Sequence, residues 1–245
     1  MNHRNRNNSF KRVSPKKRSI KQHILFVEGR NTEKSYFDLL KRANCRIIPV
    51  TRRGHGIASC VDFVKESYNA WNSMPRCERE KYEKRWLVFD ADGRDDFEES
   101  VKLARNKKFG VAFSNMCIEY WFMLHFYTHD GSPINKYGDS HSAAQIKMIN
   151  EFIRKYNKKN DTEIPEYDSG SKSVCDDLFD IMLAIDPVAG KRRIVKAFEQ
   201  AKNIHESKRD DGAEFQESVT TIYLLLEELG VIEKSDEEEY TLFKR

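Results

Sequence analysis

RWLVFDAD, residues 85–92, is an apolar run that ends in two carboxylates. Residues 86–89 include β-branched and aromatic side chains and have the length of a fully buried strand. Residues i and i+2 of an extended chain lie on one face, so Asp90 and Asp92 converge if the strand extends that far. Ligands usually bind at this end of strands in open α/β sheets, and oxygen-only ligation favours Mg²⁺ or Mn²⁺.

The composition indicates a folded protein of a reducing compartment. The chain has 245 residues, of which 33% are charged and 39% hydrophobic, enough to bury a core. Its five cysteines are scattered without a C-x-x-C pair, which argues against a disulfide framework or a zinc ribbon. No apolar run approaches a membrane span, and no apolar stretch follows the basic N-terminus. We therefore expect a cytoplasmic protein without a membrane partner.

The basic residues are concentrated at the N-terminus. Residues 1–22 carry eight Lys and Arg and no acid, so the formal charge of +4 for the whole chain leaves −4 for the remainder. Such a segment is predicted to be a disordered arm. It either contacts nucleic-acid phosphates or serves as a solubilising tail.

Four apolar runs alternate with helical patterns in the first half of the chain. Because parallel neighbours need crossover connections, this alternation predicts an α/β fold with a mostly parallel sheet flanked by helices. After residue 128 no further strong strand is predicted, and helical patterns cover 143–156, 173–185, 191–207 and 217–229. The strand runs are 23–27, 46–50, 86–89 and 109–113. The predicted organisation is an arm (1–22), an α/β domain (23–127), a helical C-terminal region (128–232) and a charged tail (233–245).

A third carboxylate, Glu28, follows the first strand and precedes Gly29. If the first and third runs are neighbouring strands, Glu28 meets Asp90 and Asp92 at one edge of the sheet, where their repulsion requires a cation or protons. A divalent ion on the two aspartates would stabilise the charge of a phosphodiester, with Glu28 as general acid/base or further ligand. The alternative is that these acids are caps and turn formers, because D-x-D alone is a weak signal.

The order strand–Glu-Gly–helix, strand–Asp-x-Asp resembles the Toprim fold of topoisomerases, primases and several nucleases. Three segments resemble the RloB-like family more closely. ILFVEGRNTEKSYF (24–37) is similar to the opening motif of that family, VFDAD (88–92) to its "vFDrD" stretch, and AFSNMCIEYWFMLHF (112–126) to its "aSNPcFElWlLlHF" stretch. The third match is long and unusual in composition, which makes it specific.

The resemblance implies a Toprim-like, Mg²⁺-dependent nuclease associated with bacterial anti-phage defence. Members are often encoded with restriction–modification genes or paired with an ATPase in abortive-infection systems. By matching positions, Glu28 corresponds to the Toprim glutamate, Asp90 and Asp92 to the metal-binding aspartates, and Glu119 to the glutamate of the third motif. Ala91 stands where many relatives carry Arg, which removes a possible phosphate or carboxylate partner.

Several further residues are candidates with two interpretations each. Glu119 either completes a second metal site or is a helix-start carboxylate bonded to backbone amides. His125 is expected to be a hydrogen-bonded core residue rather than a ligand. Candidate nucleic-acid-binding residues lie next to the Glu-Gly turn and in the loop after the second strand, although surface cations usually bind nothing specific. They are Arg30, Lys34, Arg52 and Arg53, with His55 beside the last two.

The leading hypothesis is a metal-dependent nuclease that hydrolyses phosphodiester bonds of DNA or RNA. The alternative is a nucleic-acid-binding or sensor subunit that is silent until an ATPase or other partner assembles on the helical part. A Toprim-like enzyme that forms phosphodiester bonds is disfavoured, because no second catalytic module of a primase or topoisomerase is present.

Overall fold

The computed structural model describes residues 22–29, 31–40, 45–50, 59–134, 142–168, 170–171, 173–216, 218–235 and 239–242. The predicted arm, apart from Gln22, lies outside these ranges, and so do Arg30, Arg52, Arg53 and His55. Within the described ranges, no helix combines the length and the apolar character needed to cross a membrane.

A five-stranded, mostly parallel sheet forms the centre of the fold, as predicted. The strand order is β2-β1-β3-β4-β5, in which the first four strands run parallel and β5 is antiparallel to β4. The strands are β1 (Gln22–Val27), β2 (Cys45–Pro49), β3 (Tyr82–Asp90), β4 (Gly110–Asn115) and β5 (Val219–Thr220).

Helices flank this sheet, and the C-terminal part is largely helical, as the pattern indicated. The helices of the N-terminal half are α1 (Thr32–Leu39), α2 (Cys60–Ser73), α3 (Arg76–Arg79), α4 (Phe97–Asn106) and α5 (Ile118–Leu124). The later elements are α6 (Ala143–Asn160), α7 (Asp176–Leu183), α8 (Arg193–Asp210), α9 (Ile222–Glu228) and a small hairpin of β6 (Ile232–Lys234) with β7 (Tyr240–Leu242).

Alternation along the central strands divides the apolar side chains between two cores. Leu25 and Trp86 pair in register and face α1, α5 and the C-terminal helices. Phe26 and Leu87 pair next and face α2 and α4 on the other side of the sheet. Because both faces are covered there, the central parts of β1 and β3, residues 24–27 and 86–89, are continuous apolar runs.

The C-terminal part contributes a strand that the sequence pattern did not predict. Val219–Thr220 pair with the end of β4, and α9 starts only at Ile222, whereas we predicted a helix over 217–229. Thr221 Oγ1 accepts a hydrogen bond from the Phe113 amide at 2.9 Å. The apolar spacing of the segment fits a helix, but the unpaired backbone groups at the edge of β4 bind residues 219–220 as a strand. A local sequence pattern cannot reveal this pairing, because β4 is distant in the chain.

Candidate functional site

Two of the predicted carboxylates come from the ends of neighbouring strands at the C-terminal edge of the sheet. Glu28 follows β1 and Asp90 ends β3, and these strands are neighbours. The Glu28 amide donates to the Val88 carbonyl at 3.0 Å, and the Glu28 carboxylate accepts a hydrogen bond from the Asp90 backbone. The strand order therefore brings together residues that are 62 positions apart in the chain.

Asp92 reaches this site by a different route from the one predicted. Strand β3 ends at Asp90, and Asp92 has a left-handed backbone with φ of +48°, so strand periodicity does not place the two aspartates on one face. The Asp92 amide instead donates to the Met116 carbonyl at 3.0 Å, next to a cis Asn115–Met116 peptide bond. The Asp92 side chain is largely exposed, yet its charge helps to raise the pKa of Glu28 and Asp90.

An arginine that the sequence analysis did not single out pairs with these acids. Arg94 Nη1 donates to Glu28 Oε1 at 2.6 Å, and Arg94 Nη2 lies 3.3 Å from Asp92 Oδ2. Arg94 Nη1 is also 3.5 Å from the Cys60 sulfur. Ala91, where many relatives were expected to carry Arg, is buried in the core. Position 94 therefore supplies the carboxylate partner that we considered lost at position 91.

A second missed residue, Glu33, is buried in the same cluster. Its carboxylate accepts hydrogen bonds from its own amide and from the Gly29 amide, and a Cβ at Gly29 would overlap it. Burial, with added repulsion from Glu28 and Glu119, raises the pKa of Glu33 to about 7. Sequence reasoning treated Glu33 as an ordinary first-turn carboxylate. The available signal was its place in the same motif as Glu28.

Glu119 is buried at the start of α5 and faces the cluster. Tyr167, from the C-terminal part, donates its hydroxyl to Glu119 Oε1 at 3.1 Å. The helix-start amide of Ile118 donates not to Glu119 but to Asp90 Oδ2, at 3.0 Å. The arrangement favours the interpretation that Glu119 approaches the acidic site over the one in which it caps its own helix.

Asp90 lies at the centre of this group. Its pKa is held well above the usual range, chiefly by burial and then by repulsion from Glu33, Glu119 and Asp92, although the Ile118 amide opposes the shift. Burial likewise raises the pKa of Glu28 despite its ion pair with Arg94. Carboxylates crowded in this way are stabilised in their charged form by a cation.

The chemical type of the candidate ligands suits a hard divalent ion such as Mg²⁺ or Mn²⁺, because all of them are carboxylate oxygens. Among the residues that the structure describes, however, no three His, Cys, Asp or Glu side chains are arranged so that they could hold a metal ion. Binding such an ion therefore requires these side chains to reorient, above all Glu28 and Asp92, which face Arg94.

The other sequence candidates lie apart from this cluster or outside the described residues. Lys34 is partly exposed on α1 and forms an ion pair with Asp38. His125 is fully buried, its Nδ1 lies 3.0 Å from the Trp121 carbonyl, and burial lowers its pKa to about 3. His125 is thus a neutral core residue, as expected.

Comparison with known proteins assigns the chain to a family. The model of a family described as "RloB-like protein" matches residues 23–229, which is most of the chain. No curated protein and no solved structure gives a significant match. The chain belongs to the RloB-like protein family.

Proposed function

We propose that this protein is a Mg²⁺- or Mn²⁺-dependent nuclease of the Toprim type that hydrolyses phosphodiester bonds of DNA or RNA. One observation carries the proposal: the charges of the buried Glu33 and Glu119 raise the pKa of Asp90 at the end of β3, and Glu28, at the end of the neighbouring parallel strand β1, acts on Glu33 in the same way. Such crowding is unfavourable without a cation and is typical of functional sites. The cytoplasm and bacterial anti-phage defence are the proposed setting, on the basis of the motifs shared with the family.

Each carboxylate has a proposed role. Glu28, Asp90, Asp92 and Glu119 would hold the ion, which when bound supplies charge stabilisation for the phosphodiester and a nucleophilic water. Glu33 has a pKa of about 7, so its carboxyl group can accept or release a proton near neutral pH. The hydroxyl of Tyr167 orients Glu119 through the hydrogen bond to its Oε1.

Substitution of the two strand-end carboxylates tests the proposal. Glu28→Gln and Asp90→Asn should abolish Mg²⁺- or Mn²⁺-dependent cleavage of single- and double-stranded DNA and RNA, with circular dichroism unchanged. Glu214→Gln is the matched control, because Glu214 also pairs with an arginine at 2.6 Å and is 17% exposed against 14% for Glu28. Cleavage by both site variants at the parent rate would show that the proposed site is wrong.

A second candidate function is favoured by the ion pairs of Arg94. Glu28 and Asp92 both form ion pairs with Arg94, so the guanidinium occupies the place that a metal ion would take. An inactive site of this kind is expected of a nucleic-acid-binding or sensor subunit that requires an ATPase or other partner. Pull-down of the neighbouring gene product, and cleavage assays with and without it, distinguish the two. Activity of the isolated protein would exclude this second function.

A further inference from the structure

Arg94 holds the position between two carboxylates of the proposed metal site. Its two terminal nitrogens reach Glu28 and Asp92 separately, at 2.6 and 3.3 Å. The side chain is only 24% exposed, so its charge is shielded from water more than that of an ordinary surface arginine. Burial acts to lower the pKa of Arg94, but Glu28 and the Cys60 thiol outweigh it and raise the pKa, so the guanidinium stays charged at every physiological pH.

A divalent ion and this guanidinium would require the same oxygens. Arginine binds carboxylates through directed hydrogen bonds, and Mg²⁺ or Mn²⁺ binds them through the same lone pairs. Two cations a few ångströms apart in a partly desolvated site also repel each other strongly. The guanidinium of Arg94 and a divalent ion therefore cannot be bound to Glu28 and Asp92 at the same time.

The turn that carries Arg94 is held by hydrogen bonds that do not involve the guanidinium. Arg94 lies in the turn between β3 and α4, where its amide donates to the Ala91 carbonyl at 2.9 Å. The turn is secured further by Asp96, whose carboxylate accepts a hydrogen bond from the Val61 amide at 2.8 Å. The guanidinium lies at the end of a flexible side chain that is attached to this fixed turn.

We propose that Arg94 is the internal counter-ion of the carboxylate site and that a divalent ion binds only by displacing it from Glu28 and Asp92. This inference rests on the proposed function for the identity of the ion, but not on cleavage. It assigns Arg94 a positioning role: the guanidinium keeps the acids together in the metal-free protein and sets how much metal is needed to fill the site.

Calorimetric titration of the full chain with Mn²⁺ alone, without nucleic acid, tests this role. Arg94→Gln should bind Mn²⁺ about tenfold or more tightly than the parent, because the competing charge is gone. The same variant should unfold at a lower temperature than the parent in EDTA and gain more stability from Mn²⁺. Arg105→Gln, which loses the matched ion pair with Glu214, should bind Mn²⁺ as the parent does.

Arg94→Lys carries the test if Arg94→Gln does not fold. Lysine keeps the charge but cannot hold two carboxylates with a planar fork, so Mn²⁺ binding should be at least about threefold tighter than in the parent. Unchanged or weaker Mn²⁺ binding by the folded variant would overturn the inference while leaving the nuclease proposal intact. Absence of Mn²⁺ binding in both parent and variant would overturn the inference and the proposed cofactor together. Tighter binding without any cleavage would support the inference and count against the nuclease alone.

Discussion

Gly29 lies against the Glu33 carboxylate, and this contact gives the Glu-Gly turn a physical meaning. A side chain at position 29 would overlap that carboxylate, and the Gly29 amide donates a hydrogen bond to it. The glycine therefore makes room for a second acid beside Glu28. The six residues 28–33 thus deliver two carboxylates to one site, one from the strand end and one from the first turn of α1.

The raised pKa of Glu33 predicts a pH-dependent stability. Its value of about 7 exceeds the ordinary value of 4.5, so the favourable contribution of the protonated form is complete at low pH and is lost as pH rises from about 4.5 to 7. Glu33→Gln has no such loss. In EDTA it should be more stable than the parent at pH 8 by up to about 3 kcal/mol, and the difference should vanish near pH 4.

Thermal or urea unfolding across pH 4 to 8 measures this difference. Glu214→Gln is the control of opposite sign, because hydrogen bonding and charge from Arg105 lower the pKa of Glu214 although burial acts against them. That variant should be less stable than the parent above about pH 4.5 and approach it in acid. Parallel stability curves for Glu33→Gln and the parent would contradict the shifted titration of Glu33.

At the scale of elements, the connection between α6 and α7 lies against the acidic site, where its Tyr167 contacts Glu119. The side-chain amide of Asn31 donates to the Ser171 carbonyl at 3.1 Å, and the Val174 amide donates to Ser35 Oγ at 3.0 Å, so the connection is tied to α1 at two points. Asn150 on α6 holds the backbone of Tyr167 through two hydrogen bonds. A segment predicted only as a polar connector therefore covers one side of the site.

Tyr167→Phe tests this closure. The variant loses a hydrogen bond to a buried carboxylate and should lower the free energy of unfolding by about 2 kcal/mol, within the range for bonds to charged groups. Tyr127→Phe is the control, since the Tyr127 hydroxyl donates at 3.0 Å to the neutral Met148 carbonyl, and it should lose about 1 kcal/mol or less. Urea unfolding measures the free energy of unfolding of both variants. Equal losses would contradict the prediction that the Tyr167 hydroxyl bonds to a charged group.

On the scale of the whole molecule, one apolar core joins the two halves of the chain. Residues of β1, β3, α1 and α5 share a continuous cluster with residues of α6, α7, α8 and α9. Strand β5 adds backbone pairing across the same boundary. The predicted division into an α/β domain at 23–127 and a helical region at 128–232 therefore describes the order of the elements. We do not expect it to describe two independently folding units.

Unfolding of the full chain should consequently be a single transition. The three tryptophans, at positions 71, 86 and 121, report on the N-terminal half, whereas far-UV circular dichroism is weighted toward the long helices α6 and α8. We expect the two signals to change at the same urea concentration. A fragment of residues 22–134, which lacks β5 and the later helices, should not reach a stable native state. Separate transitions would indicate two domains.

The sequence by itself determined the strands, their mostly parallel arrangement and the acids at their ends, because these follow from local periodicity and from residues adjacent in the chain. It also carries the motifs that mark the family. Only the tertiary structure brought Arg94 to Glu28, Tyr167 to Glu119 and β5 to the edge of β4. These contacts join groups 66, 48 and 104 to 106 residues apart. Which distant groups meet depends on strand order and turn conformation, such as the left-handed backbone of Asp92, and no local pattern encodes either.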